Sequence, residues 1–224
     1  MENSGGTETV HSILEPTVPI DVGVLSQRQR IIEAMVASCA KKTYAETTIA
    51  DLVSRACISR TTFYKRFTGK KECFDAAVDW CIEELEGAAA SAHSSSDSPP
   101  EAVRKATAAT LGLMAANPAL AQFVTGEAVA AEAAVVDRYR DLLMPAVESL
   151  WADADQPHDQ YADPRLAFGR TQVLIYNQII VHGAESLPDL LPEIAYILVL
   201  PFAGHDEALK QAQLAGQTSR GLSA

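Results

Sequence analysis

From Ser26 onward, apolar residues recur at steps of three and four and no stretch alternates convincingly, a pattern that helices bury and strands do not. The stripe Ile31, Ile32, Met35, Val36 and Cys39 marks a first helix, opened by Ser26 with Gln29 at the capping-box distance and ending at Tyr44. Thr48-Ile-Ala-Asp51 is a second capping box that starts a short helix with Leu52 and Val53 inside. Ser59 caps a third, in which Phe63 and Phe67 stand four apart and face inward. Ala, the best helix former, supplies 37 of 224 residues. The expected fold is all-α.

The helical pattern continues downstream. A fourth helix begins near Gly69 with the stripe Phe74, Val78, Cys81, Ile82 and Leu85. Residues 89–98 read as a small-residue linker, after which Ser98-Pro99-Pro100-Glu101 combines an N-cap, a Pro at the first helical position and a capping Glu. That helix stops at Asn117-Pro118, because a residue before Pro resists the α region, and a short helix follows to about Gly126. Residues 127–152 read as a long helix that Pro145 kinks, 153–164 as an acidic loop, and 165–184 and 189–203 as two further helices. Residues 1–25 are polar, contain glycine and proline and show no sustained period, the composition of a disordered arm.

Charge is distributed very unevenly. The chain carries a formal −11, which taken whole argues against nucleic acid. Between Arg28 and Glu72, however, ten basic residues face four acids, so this segment holds +6 and the rest of the chain −17. Such asymmetry describes a polyanion-binding module on an acidic body. Three short helices with a basic surface, joined at Ala56-Cys57-Ile58-Ser59, have helix-turn-helix spacing. Arg60, Thr61 and Lys65 lie opposite Phe63 and Phe67, where they can reach a major groove and Arg or Lys can pair with guanine O6 and N7. Ser59 exposes helix N-terminal amides to phosphate, and Thr62, Tyr64 and Lys70 offer donors that set register without reading sequence. Arg28, Thr47 and Thr48 complete the candidate DNA contacts.

At these residues the chain resembles the TetR family of one-component transcription regulators. The stretch TTIADLVSRACISRTTFYKRFTGKKECF, residues 47–74, carries the resemblance. The family pattern maps onto Thr47, Leu52-Val53, Ala56-Cys57-Ile58-Ser59, Phe63-Tyr64, Phe67 and Lys70. Two positions depart from it: the turn glycine is Cys57, at a cost of roughly 1 kcal/mol in a left-handed turn, and the small residue four earlier is Val53. The resemblance implies a head at 26–72 and a helical effector-binding and dimerisation domain at 73–224. It also implies a homodimer on a near-palindromic double-stranded DNA operator, released as a repressor by a small effector.

The residues lend independent weight to the dimer. In VLIYNQIIV, residues 173–181, apolar side chains surround the helix except at Asn177 and Gln178, so both sides need burial; Ile194 to Phe202 is the natural partner helix. Candidate pocket residues are the polar Tyr139, Gln172, Tyr176, Asn177 and His182 among apolar Met114, Phe123, Leu142 and Trp151, an arrangement suited to a hydrophobic effector. Asn177 stands out, since a polar group in an apolar helix needs a partner.

Other classes lack their parts. No G-x-G-x-x-G, Walker loop, G-x-S-x-G or H-E-x-x-H occurs, the five histidines are scattered, and no cofactor or metal is implied. Cys39, Cys57, Cys73 and Cys81 show no C-x-x-C pair and read as reduced thiols. With no export signal in view and no apolar run near the roughly 20 residues a bilayer requires, the expected location is the cytoplasm, away from membrane. Two competing readings stay open: a redox-sensing regulator using Cys57, placed in the turn near basic residues, and a protein-interaction module whose basic surface docks an acidic partner.

Overall fold

The computed structural model describes residues 26–93, 95–127 and 164–221. Among them the chain forms α1 (Gln27–Cys39), α2 (Ile49–Arg55), α3 (Arg60–Tyr64), α4 (Lys70–His93), α5 (Pro99–Ala116) and α6 (Pro118–Gln122), then a π-turn at Phe123–Glu127. After the undescribed stretch come α7 (Pro164–His182), a 3-10 segment Ala184–Leu190 and α8 (Leu191–Gly221). No strand occurs among the described residues, and the all-α expectation stands. The expected arm at 1–25 and helix at 127–152 with its Pro145 kink lie outside the described residues, apart from Glu127 at the end of the π-turn.

The caps explain why the head breaks into short helices. Ser26 accepts from the Gln29 amide at 3.1 Å, while the Gln29 side chain turns to Glu33 at 3.2 Å, so this box is half made. At Thr48 it is complete: Thr48 N–H donates to Asp51 at 2.7 Å and Asp51 N–H returns to the threonine hydroxyl at 3.2 Å. The first helix ends at Cys39 rather than Tyr44, because the Lys41 and Lys42 amides both turn back to the Ser38 carbonyl at 3.1 Å. α4 in turn outruns its expected end and continues through the alanines at 88–90 to His93, which shortens the linker. Ser98 sits at the N-cap of α5 without a capping bond from its hydroxyl; Glu101 reaches back instead to the Asp97 amide at 3.2 Å.

Sequence periodicity missed the final arm. α8 breaks at Gly204, with φ 78 and ψ 175, and continues as a second arm over 205–221. The buried positions of that arm are Ala208, Gln211 and Ala215, too small or too polar to register as an apolar stripe. Gln211 is held by Arg104 of α5, whose Nε donates to it at 2.9 Å. By length and apolarity the helical stretch Ala184–Gln217 could cross a bilayer. It is broken at Gly204, and Leu187, Ile194, Ala195, Val199 and Ala208 along it are buried inside the fold.

Among the described residues the larger of two apolar clusters runs from head to body, and the smaller joins Ala102, Val103, Val199, Phe202 and Ala208. The larger links Ile31, Ile32 and Met35 of α1 with Leu52, Phe63, Phe67 and the inner face of α4, then continues to Leu111, Met114, Phe123, Ile179 and Ile194. The expected domain boundary at residue 72 therefore falls inside α4, which packs on α1 and on α5. The ring centroids of Phe74 and Phe123 stand 5.2 Å apart, joining head to body.

Candidate nucleic-acid interface

α2 and α3 meet at a turn with helix-terminating geometry. Ile58 N–H reaches back to the Val53 carbonyl at 3.0 Å and Cys57 N–H to Ser54 at 3.2 Å, the two bonds of a Schellman motif. Cys57 takes the left-handed position with φ 52, where glycine is usual. We expect Cys57→Gly to stabilise the head by about 0.5–1 kcal/mol, since removing Cβ strain outweighs the added chain entropy; a melting curve showing equal or lower stability would contradict this. The thiol is exposed and its Sγ points to the Arg55 carbonyl oxygen at 4.0 Å, not to a basic group. Burial pushes the Cys73 thiol up to about 12, and Cys81 is raised by the same cause.

Ser59 opens α3 by accepting from the Thr62 amide at 3.0 Å. Phe63 and Phe67 are completely or almost completely buried, with ring centroids 5.8 Å apart; α3 ends at Tyr64, so Phe63 anchors it from within and Phe67 from just past its end. Arg60, Thr61, Tyr64 and Lys65 consequently face solvent. The Arg28 guanidinium lies over the Phe67 ring at 5.2 Å, so the start of α1 flanks the same surface. Arg66, in the turn after α3, is a further exposed cation; it donates to Gln27 Oε1 of α1 at 3.4 Å, and the Lys65-Arg66 tandem is its only sequence signal.

Several expected contacts take other roles. Thr47 is buried and its hydroxyl donates to the Thr43 carbonyl at 3.0 Å, so it supports the turn from inside. Thr48 is exposed, but its hydroxyl donates to Asp51 at 2.6 Å, and Thr62 is half-buried with its hydroxyl 2.9 Å from that of Ser59. Lys42 lies 2.8 Å from Asp51; this ammonium, followed by the Thr48 bonds, holds the Asp51 carboxyl well below its usual range. Glu72 is lowered likewise by the hydroxyl and amide of Thr68, both at 2.6 Å. Lys70 departs furthest from expectation: its Nζ donates to the carbonyls of Tyr44, Thr47 and Ala45 at 2.8, 3.0 and 3.4 Å and sits 4.3 Å from the Tyr44 ring centroid. An ammonium has three donors, and all three are spent inside the protein.

Six of the nine expected pocket residues fall among the described residues. Met114 and Phe123 are buried in the continuous core, and Tyr139, Leu142 and Trp151 lie outside the described residues. α7 turns Ala167, Thr171, Ile175 and Ile179 inward at steps of four, which leaves Gln172 half-buried and Tyr176, Asn177 and His182 exposed. Asn177 therefore needs no internal partner. Its neighbour Gln178 makes the bond instead, donating to the Ser186 hydroxyl at 3.0 Å.

A short capped helix held by two phenylalanines, preceded by a tight turn and showing a basic outer face, defines a helix-turn-helix protein of the DNA-binding class. No group of three or more His, Cys, Asp or Glu side chains suited to a metal ion occurs among the described residues. Residues 31–77 match the model of the bacterial regulatory proteins, tetR family. The match lies in the head, which is similar to that of the TetR family of transcription regulators.

Solved structures share the fold over most of the chain. FadR of Bacillus subtilis, in complex with stearoyl-CoA, superposes with a TM-score of 0.66 at 16% identity, covering 76% of this chain and 96% of that one. FadR of Bacillus halodurans gives 0.62 at 18% identity with the same coverage. TylP, a TetR regulator of Streptomyces fradiae, gives 0.61 at 17% identity, covering 82% of this chain and 90% of that one. No curated protein sequence matches significantly.

Proposed function

We propose that the protein is a ligand-responsive repressor that binds a near-palindromic operator as a homodimer. α3 of each head enters the major groove. The observation that carries the reading is the outer face of α3, where Arg60, Thr61, Tyr64 and Lys65 project from a helix anchored by buried Phe63 and Phe67. Arg60 near the helix start reads a guanine edge, Lys65 and Arg28 neutralise phosphates, and the amides at the start of α3 donate to a phosphate oxygen. The −17 carried outside residues 28–72 repels DNA and confines contact to the head. We read 26–72 as the DNA-binding unit and 73–224 as the effector-binding and dimerisation unit, with α4 shared between them.

The dimer face in this reading is the exposed apolar side of α7, comprising Leu166, Val173, Tyr176, Ile180 and Val181, continued on α8 by Leu200 and Leu209. Such a patch on a water-soluble surface calls for a partner. Two copies meeting there place the two α3 helices about 34–36 Å apart, on successive major grooves. Effector binding in the body then favours a spacing that no longer fits DNA. The stearoyl-CoA held by the Bacillus subtilis regulator makes long-chain acyl-CoA the first effector class to try.

Genomic binding-site selection with purified protein tests the reading directly. Against the recovered operator, Arg60→Ala should cost about 1–3 kcal/mol and reduce discrimination from random duplex, while Lys65→Ala should weaken both alike. Recovery of no enriched site, with salt-insensitive binding, would instead favour a protein-docking role for the basic face. A Cys57→Ser protein with the wild-type response to peroxide would end the redox alternative.

A further inference from the structure

We infer that Lys70 is a positioning residue for operator binding, which acts by tying the turn before α2 to the first residue of α4 rather than by touching DNA. The inference rests on the operator-binding reading above. Lys70 is the first residue of α4, where the helix dipole disfavours a cation, so its own helix does not account for it. The side chain instead reaches back 23 to 26 residues to the carbonyls of Tyr44 and Thr47. Thr47 immediately precedes Thr48, the N-cap of α2, so its carbonyl lies outside the hydrogen-bond ladder of that helix. The ammonium supplies the donor.

The surroundings fix the knot on every side. The Tyr44 ring centroid lies 4.3 Å from Nζ, and the ring packs at a tilt against Phe74 of α4 with centroids 4.5 Å apart. Thr47 is buried, with its hydroxyl bonded to the Thr43 carbonyl. On the other side Thr48 and Lys42 clamp Asp51 of α2. The start of α2 is therefore registered on α4 through one charged group, and α2 sets the angle at which α3 leaves the turn. With its donors directed at three carbonyls, Lys70 has none left for a phosphate oxygen.

The two roles leave different signatures. A lost phosphate contact weakens operator and random DNA alike and lowers the salt slope by about 0.9. A lost positioning contact weakens the operator and leaves random-duplex binding and the slope unchanged. The test measures operator and random-duplex affinity of the full chain across salt concentrations, for wild type, Lys70→Met, Lys70→Arg and Lys65→Ala, with folding checked by circular dichroism. Lys70→Met should lose about tenfold in operator affinity at constant slope, the size expected for hydrogen bonds to a charged group. Lys70→Arg keeps the charge but cannot converge three donors from a planar fork, so it too should lose operator selectivity while random binding holds. Lys65→Ala should lower the slope by about 1.

A fall in slope for Lys70→Met, or wild-type operator affinity in either Lys70 variant, would overturn the inference. If Lys70→Met does not fold, Lys70→Arg alone decides it by the same criterion. A wild-type chain that prefers no duplex at any salt would overturn the operator reading and this inference with it.

Discussion

Phe63→Ala should lose about 3–5 kcal/mol of stability and abolish selective DNA binding. The ring is completely buried, pairs with Phe67 at 5.8 Å and with Tyr64 at 5.4 Å, and is the main buried anchor of a helix only five residues long. A helix that short has no stability of its own, since nucleation costs more than one turn returns. It exists because its inner side chain is buried. Thermal melting and operator titration check this together. A variant that melts within about 1 kcal/mol of wild type and still selects the operator would mean that Ser59 and the turn suffice to hold α3.

The second large effect concerns the exposed face of α7. Ile180 and Val181 are 66% and 68% exposed in the single chain and, with Leu166, Val173 and Tyr176, belong to the exposed apolar side of α7 proposed as the dimer face. Replacing both with Asp brings like charges together across a two-fold axis and should shift the protein to a monomer in sedimentation or light scattering. Operator affinity should fall about 10²–10⁴-fold, because two linked heads gain that factor from effective concentration. Monomeric heads should still bind a half-site weakly. A dimer of unchanged strength would place the interface elsewhere.

The two faces differ in how they could be read from sequence. In the head, nearly everything is local: Ser26, Thr48-Ile-Ala-Asp51 and Ser59 state where helices begin, and Phe63 and Phe67 state which side is inward. A capping bond spans three residues, so a linear reading contains it. The same reading could not foresee the internal bonds of Lys70 and Thr47, because their partners are turn carbonyls whose position depends on how α1 and α4 pack. Residue type alone makes a lysine beside a basic helix look like a phosphate contact.

The body was less legible. Periodicity located α5 and α7 but left the arm at 205–221 unseen, since Ala208 and Ala215 bury little surface and Gln211 is polar. The polar residues of α7 exchanged roles for a similar reason. Asn177 and Gln178 are adjacent in an apolar run, and only the rotation of the helix, set by Ile175 and Ile179, sends Gln178 toward Ser186 and Asn177 outward.

The sequence by itself determined the helical class, the helix starts, the inward faces of α1 and α3 and the basic head on an acidic chain. Each of these follows from spacing within a few residues or from a sum of charges. Tertiary structure alone decided that head and body share a core cluster through α4, that Lys70 turns inward, and that α7 keeps an exposed apolar face. Those outcomes depend on how helices distant in sequence rotate and pack, and a side chain's role follows from what the packing brings within hydrogen-bond or van der Waals reach.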